Sequence, residues 1–253
     1  MINSTKPNEI DALKDKDNSE FFFIIYIVTI LFSILLNLNI VVSFITNKKL
    51  RSYTNFYYIS ISLCGLMVSF TIMPFDALEL LDYETFNKSL TICIIWYSLD
   101  CAVCSISVFS LMFIAIIRYI SIAYPHFKLT IKTHLIIIGL IWTLPIIFWF
   151  SLNGWVMVNH DFTECEMSYD KMLCYLLISI FCIAPLLVSI SVNLLTMVKI
   201  KNRYNKIDIL KMIRTNSLRK RSNEKKAICI LMISSLISLI CWSGFMSTYP
   251  IVR

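Results

Sequence analysis

The sequence predicts an all-α membrane protein, a bundle of six helical spans. Three observations predict it. Hydrophobic residues fill 58% of the 253 positions and charged residues only 15%, against roughly 25% charged in soluble domains. The mean hydropathy is +0.74. The apolar residues gather into runs near the length of about 20 residues that a helix needs to cross a bilayer. Only helices and closed barrels satisfy their backbone groups in lipid, and these runs are too long and continuous for barrel strands.

The runs are Phe21–Ile45, Phe56–Phe75, Leu90–Ala123, Leu135–Trp155, Leu173–Ile200 and Ala227–Ile251. Residues 1–20 are polar and acidic. They hold no apolar stretch of the signal-peptide kind and read as an N-terminal tail ahead of a membrane domain over residues 21–251. Phe21–Ile45 is too long for a signal segment and runs into a Lys-rich flank, so it reads as a retained span.

The loops alternate in charge. Lys48, Lys49 and Arg51 follow the first run, and Asp76, Glu79, Asp82 and Glu84 follow the second. Lys128 and Lys132 follow the third, and Asp161, Glu164, Glu166 and Asp170 the fourth. The basic segment Lys199–Lys226 follows the fifth. Basic loops stay in the cytoplasm, so the N-terminus is expected outside. Two glycosylation sequons, at Asn3 and Asn87, fall on that same outer side. Six spans would leave Arg253 outside as well.

Other classes find little support. The net charge of +7 would suit a nucleic-acid partner, but its excess sits in Lys199–Lys226, where a cytoplasmic loop is the better reading. Four glycines and six prolines argue against a loop-rich chain. No metalloprotease, phosphate-loop or nucleophile-elbow motif occurs, so no enzyme, cofactor or metal is implied. His126, His134 and His160 are scattered. A transporter or channel would want more ionisable groups within its spans. Cys64, Cys101, Cys104, Cys182, Cys229 and Cys241 lie inside apolar runs and read as small buried hydrophobes. Cys93 and Cys165 lie at run ends.

The third run is the densest. Cys93, Asp100 and Ser107 follow one another at steps of seven, close to two helical turns, and so share a face. Asp100 lies about 10 Å along the helix from Cys93. An ionised Asp at such depth costs roughly 2.5–3.5 kcal/mol on insertion scales. Away from the run ends, the apolar segments hold no Lys or Arg except Arg118, about 27 Å away along the helix. Either a bound cationic ligand supplies the charge, or Asp100 is protonated or solvated in a wet cavity.

With these residues stand several others in order. They include Asn37 within Leu36-Asn37-Leu38-Asn39-Ile40-Val41, the loop Asn47–Arg51 with Thr54-Asn55-Phe56, and Met73-Pro74-Phe75. Further along come Arg118-Tyr119, Trp142, Pro185, Glu224-Lys225-Lys226-Ala227 and Cys241-Trp242. The series resembles the rhodopsin-like G-protein-coupled receptors, and among them the aminergic group, without a seventh helix. The resemblance covers nearly all of the chain from residue 21. Each motif is weak alone; their order and spacing together are specific.

The resemblance implies roles. Asp100 would be the counter-ion of a ligand amine. Trp96, Cys104, Phe181, Trp242, Phe245 and Tyr249 would line the same pocket, although an apolar stripe of this kind also suits plain helix packing. Cys93 would be disulfide-bonded to Cys165, both otherwise free thiols. Arg118, with Tyr119, would meet a heterotrimeric G protein and would pair with Glu224 at rest; alternatively Arg118 snorkels to the interface. Leu177 and Phe181 stand where catecholamine receptors carry serines, which favours an amine with a less polar ring, or one of another type altogether.

The chain also departs from the family. Ile117 replaces the acid before the arginine, and Gly65 the sodium-site Asp. Gly244 follows Trp242 where a proline is usual, Ser238 replaces a Phe and Asn193 a Tyr. Two functions are therefore weighed. One is a receptor for a small cationic amine that signals through a G protein. The other is a truncated or degenerate receptor without signalling of its own, which acts by pairing with an intact receptor.

Overall fold

The computed structural model describes residues 9–48, 53–79, 89–127, 129–159, 170–209, 226, 228–238 and 240. Among the described residues the chain is helical, with no strand. Five helices are long and apolar enough to cross a membrane: Phe21–Thr46, Asn55–Leu78, Leu90–Ala123, Ile131–Val158 and Lys171–Asn202. They are called spans one to five below. A shorter apolar helix, Ile228–Ser238, follows. The remainder of the sixth run lies outside the described residues. The protein is a helical membrane bundle.

The first helix reaches further than the apolar run that seeds it. It covers Glu9–Thr46 without a break, so the polar residues before Phe21 continue the same helix.

Two prolines reshape spans two and five. Proline has no N–H and its ring crowds the carbonyl four residues back. Just before Pro74 the helix widens into a π turn over Val68–Ile72, and just before Pro185 into another over Ser179–Ile183. The N–H of Met73 bonds the Val68 carbonyl, and that of Ala184 bonds the Ser179 carbonyl. Hydroxyls add further bonds to nearby carbonyls. Ser69 Oγ donates to Gly65 O at 2.7 Å, Thr71 Oγ1 to Met67 O at 2.6 Å and Ser179 Oγ to Tyr175 O at 2.6 Å. Backbone and side-chain polar groups in lipid have no water to turn to, so these hydroxyls are satisfied within their own helix.

Span three is the hub. It packs against spans two, four and five, whereas span one packs chiefly on span two. The main apolar core gathers Tyr57, Cys64 and Ile72 of span two, Val103, Ile106, Ile114 and Ile117 of span three, Ile141 of span four, Leu186 of span five and Leu231 of the short helix. Lipid drives such packing weakly, so hydrogen bonds between helices matter. Trp142 Nε1 donates to Ser60 Oγ at 2.8 Å, and Ser60 Oγ bonds Ser110 Oγ at 3.2 Å, joining spans two, three and four. Trp149 Nε1 donates to Ser105 Oγ at 2.9 Å, and Asn153 Nδ2 to Ser98 Oγ at 3.1 Å.

Span five shows one break in this economy. Leu186, Ser189, Asn193, Thr196 and Ile200 are all buried at the spacing of a single helix face. Ser189 bonds Ser235 of the short helix at 3.0 Å. Asn193 is fully buried, and neither its Oδ1 nor its Nδ2 has a hydrogen-bond partner. An orphaned buried group of this kind costs about 1–3 kcal/mol. Asn193→Leu, similar in volume, is therefore expected to raise the melting temperature of the purified protein by a few degrees. An unchanged or lower value would mean that the amide is satisfied.

Candidate functional site

Asp100 sits in the first third of the helix Leu90–Ala123, whose other faces are occupied. Ala102, Val103, Ser105 and Ile106 are buried against neighbouring spans. Asp100, Cys104 and Ser107 form a partly exposed stripe along the remaining face. The contact recorded for the Asp100 carboxylate is a weak one, from Cys104 Sγ at 3.8 Å. Ser107 Oγ turns back to the Cys104 carbonyl at 2.8 Å. The stripe thus offers one carboxylate without a protein cation among the described residues, flanked by a thiol and a hydroxyl.

The other predicted pocket residues divide. Trp96, one turn from Asp100, lies tilted against Tyr97 at 5.0 Å between ring centroids. It also borders an apolar crevice of about 190 Å³ with Thr71, Ile72, Phe75, Ile92, Ile95 and Leu99. Phe181 belongs to an aromatic cluster. It stacks on Phe148 at 4.7 Å and packs against Trp149 at 5.2 Å and Phe109 at 6.1 Å. Leu177 is buried with Ala102 and Trp149 in that same region. Trp242, Phe245 and Tyr249 lie outside the described residues.

Cys93 is buried and disulfide-bonded, and it packs with Met157, Leu90, Ile94 and Tyr97. Cys165 lies outside the described residues, as do Asn3, Asn87 and Glu224. Of the other cysteines, Cys64 and Cys182 are buried, but Cys229 is exposed. Its place on the short helix turns it away from the core, a correction to the buried role expected from its apolar run. Among the described residues no group of three His, Cys, Asp or Glu side chains could hold a metal.

At the far end of span three, Arg118 Nη2 donates to the hydroxyl of Tyr58 on span two at 2.7 Å. Its neighbour Ile117 is only 5% exposed and belongs to the main core; Tyr119 is partly exposed. Sequence reasoning did not single out Tyr58. Sixty positions separate it from Arg118, and no helical spacing links residues on different helices.

Gly65 has a structural consequence. A Cβ there would meet Asn37 of span one, with Nδ2 at 2.5 Å, Cγ at 2.7 Å and Oδ1 at 2.8 Å. Asn37 Nδ2 is held by Ser33, bonding its carbonyl at 2.9 Å and its Oγ at 3.2 Å. Ser33 in turn bonds Ser69 at 2.6 Å. An asparagine of span one thus occupies the space where any side chain at position 65 would begin.

The chain matches the family model "7 transmembrane receptor (rhodopsin family)" over residues 36–251, and it belongs to that family. Its relatives include the alpha-1A adrenergic receptors of Homo sapiens, 31% identical over 147 residues, and of Cavia porcellus, 32% identical over 149 residues. Each alignment covers 56% of this chain, and 31% and 32% of those relatives respectively. The Canis lupus familiaris receptor is 30% identical over 147 residues, 49% of its length. The chain therefore aligns with about a third to a half of the length of these relatives. Receptors of this family are not enzymes.

Gly65→Ala is expected to destabilise the protein. Asn37 must move aside for a methyl group, which disturbs its bonds to Ser33, and the loss of a hydrogen bond of this kind costs about 1 kcal/mol. A thermal melt in detergent should show the loss, and the double variant Gly65→Ala, Asn37→Ala should recover part of it. Equal melting temperatures for Gly65→Ala and the parent would contradict the contact.

Proposed function

We propose that this protein is a plasma-membrane receptor for a small cationic amine, which it binds at Asp100, and that it signals through a heterotrimeric G protein at the Arg118 end. The observation that carries the reading is the carboxylate itself. Asp100 lies within a spanning helix, with only a weak thiol contact, at 3.8 Å, among the described residues. A charge in that setting wants a counter-charge, and a protonated amine provides one together with a charge-assisted hydrogen bond. Family membership and the adrenergic relatives support the same ligand class. Phe181 and Leu177, both taken up in packing, leave few hydroxyls on span five for a catechol, so the reading favours an amine with a less polar ring.

In this reading the N-terminus faces outside, Asn3 and Asn87 are open to glycosylation, and Cys165 is the partner of Cys93. Trp96, Cys104, Trp242, Phe245 and Tyr249 line the amine pocket, and Glu224 and Tyr119 act with Arg118. A second reading rests on Ile117 and Gly65. The acid next to the arginine is replaced by a core residue, and the space beside position 65 is filled by Asn37. A chain so altered would bind its ligand without signalling alone and would act by pairing with another receptor. Amine-dependent nucleotide exchange on a reconstituted G protein separates the two: exchange favours the first, and binding without exchange favours the second.

The amine assignment is tested by radioligand binding to membranes that carry the full chain. Asp100→Asn keeps the shape and removes the charge. Loss of one partner from a desolvated charge pair costs 2–5 kcal/mol or more, so affinity should fall on the order of a hundredfold. Unchanged affinity would end the assignment.

A further inference from the structure

The cation at the Arg118 end has a partner that nothing in its own helix predicts. A guanidinium carries five donors and no acceptor, and a partly buried one needs an acceptor close by. The neighbouring residue cannot serve, because Ile117 is apolar and turned into the core. The acceptor is the phenol of Tyr58, 2.7 Å from Nη2, with the guanidinium carbon 5.7 Å from the ring centroid.

Span two holds this phenol on a fixed mount. One residue earlier, the fully buried Tyr57 bonds its hydroxyl to His134 Nδ1 of span four at 3.2 Å. Two residues later, Ser60 bonds both Trp142 and Ser110. The helix on either side of Tyr58 is thus tied to spans three and four. Tyr58 has little freedom to follow Arg118 if the arginine moves, so their bond breaks rather than stretches.

We propose that Tyr58 is the positioning residue for Arg118. Its hydroxyl draws the guanidinium toward span two and away from a G protein, in place of a carboxylate at position 117. This rests on the receptor reading above. The bond holds one of two orientations of Arg118, and removing it shifts the balance toward the other. A hydrogen bond to a charged group is strong enough for that shift to reach roughly tenfold.

The test uses the full chain in lipid nanodiscs without ligand, with two readouts. The first is a thermal double-mutant cycle of Tyr58→Phe and Arg118→Met. The second is association with a purified nucleotide-free G protein. Tyr58→Phe keeps the ring and removes only the hydroxyl. Tyr57→Phe, which removes the phenol facing His134, controls for a merely structural effect. The proposal expects non-additive melting shifts in the cycle. It also expects several-fold to tenfold more G-protein association for Tyr58→Phe, with no rise for Tyr57→Phe. Additive melting shifts would overturn the bond. Non-additive shifts with unchanged association of Tyr58→Phe, while the parent associates, would overturn its positioning role. No association by any variant, with or without a saturating amine, would overturn the signalling reading and the positioning role with it, although the cycle would still report the bond.

Discussion

Inside a bilayer every polar group has to find its partner within the protein, because the hydrocarbon offers none. The rest of this structure depends on that constraint. It explains why the hydroxyls and indoles of spans two, three and four meet in pairs: Trp142 with Ser60, Trp149 with Ser105, Asn153 with Ser98. It explains why Ser69, Thr71 and Ser179, in the π turns before Pro74 and Pro185, bond back to carbonyls of their own helix. Each such bond between helices is worth only about 0.6 kcal/mol on average. Their value lies in fixing which faces of the helices meet, which apolar packing alone does loosely.

Span three takes the most from this arrangement because it touches the most neighbours. It also carries the two charges, Asp100 and Arg118, that lie in the apolar runs away from their ends. Their treatment differs. Arg118 is answered inside the protein by Tyr58. Among the described residues Asp100 has only a distant thiol. One helix thus joins a carboxylate without a cation partner among the described residues to an arginine held by its own bundle. Coupling between the two ends would have to pass along about 27 Å of helix packed on three neighbours. A rigid hub of that kind is suited to moving as a unit.

Much of the fold was legible because apolar runs of span length have few alternatives in lipid. The site was legible as far as a charge in an apolar run stands out: Asp100 and Arg118 are conspicuous in any reading of span three. The π turns were not legible. Pro74 and Pro185 signal a disturbed helix, but a proline alone does not say whether the helix kinks or widens into a π turn. The extension of the first helix back through Glu9 was missed because hydropathy marks where lipid begins and not where a helix does. Tyr58 and Asn37 were missed as partners because their roles arise between helices. Gly65 was visible as a departure, yet only the approach of Asn37 shows that the space beside it is filled.

The central claim is that Asp100 is left without a protein cation so that a ligand amine can supply one. An experimental structure of the full chain in nanodiscs with a bound amine tests this most directly. The account predicts the ligand nitrogen about 2.7–2.9 Å from an Asp100 oxygen, the distance of a charge-assisted hydrogen bond, on the stripe shared with Cys104 and Ser107. A ligand seated away from span three, or a Lys or Arg of this chain paired with Asp100, would contradict it.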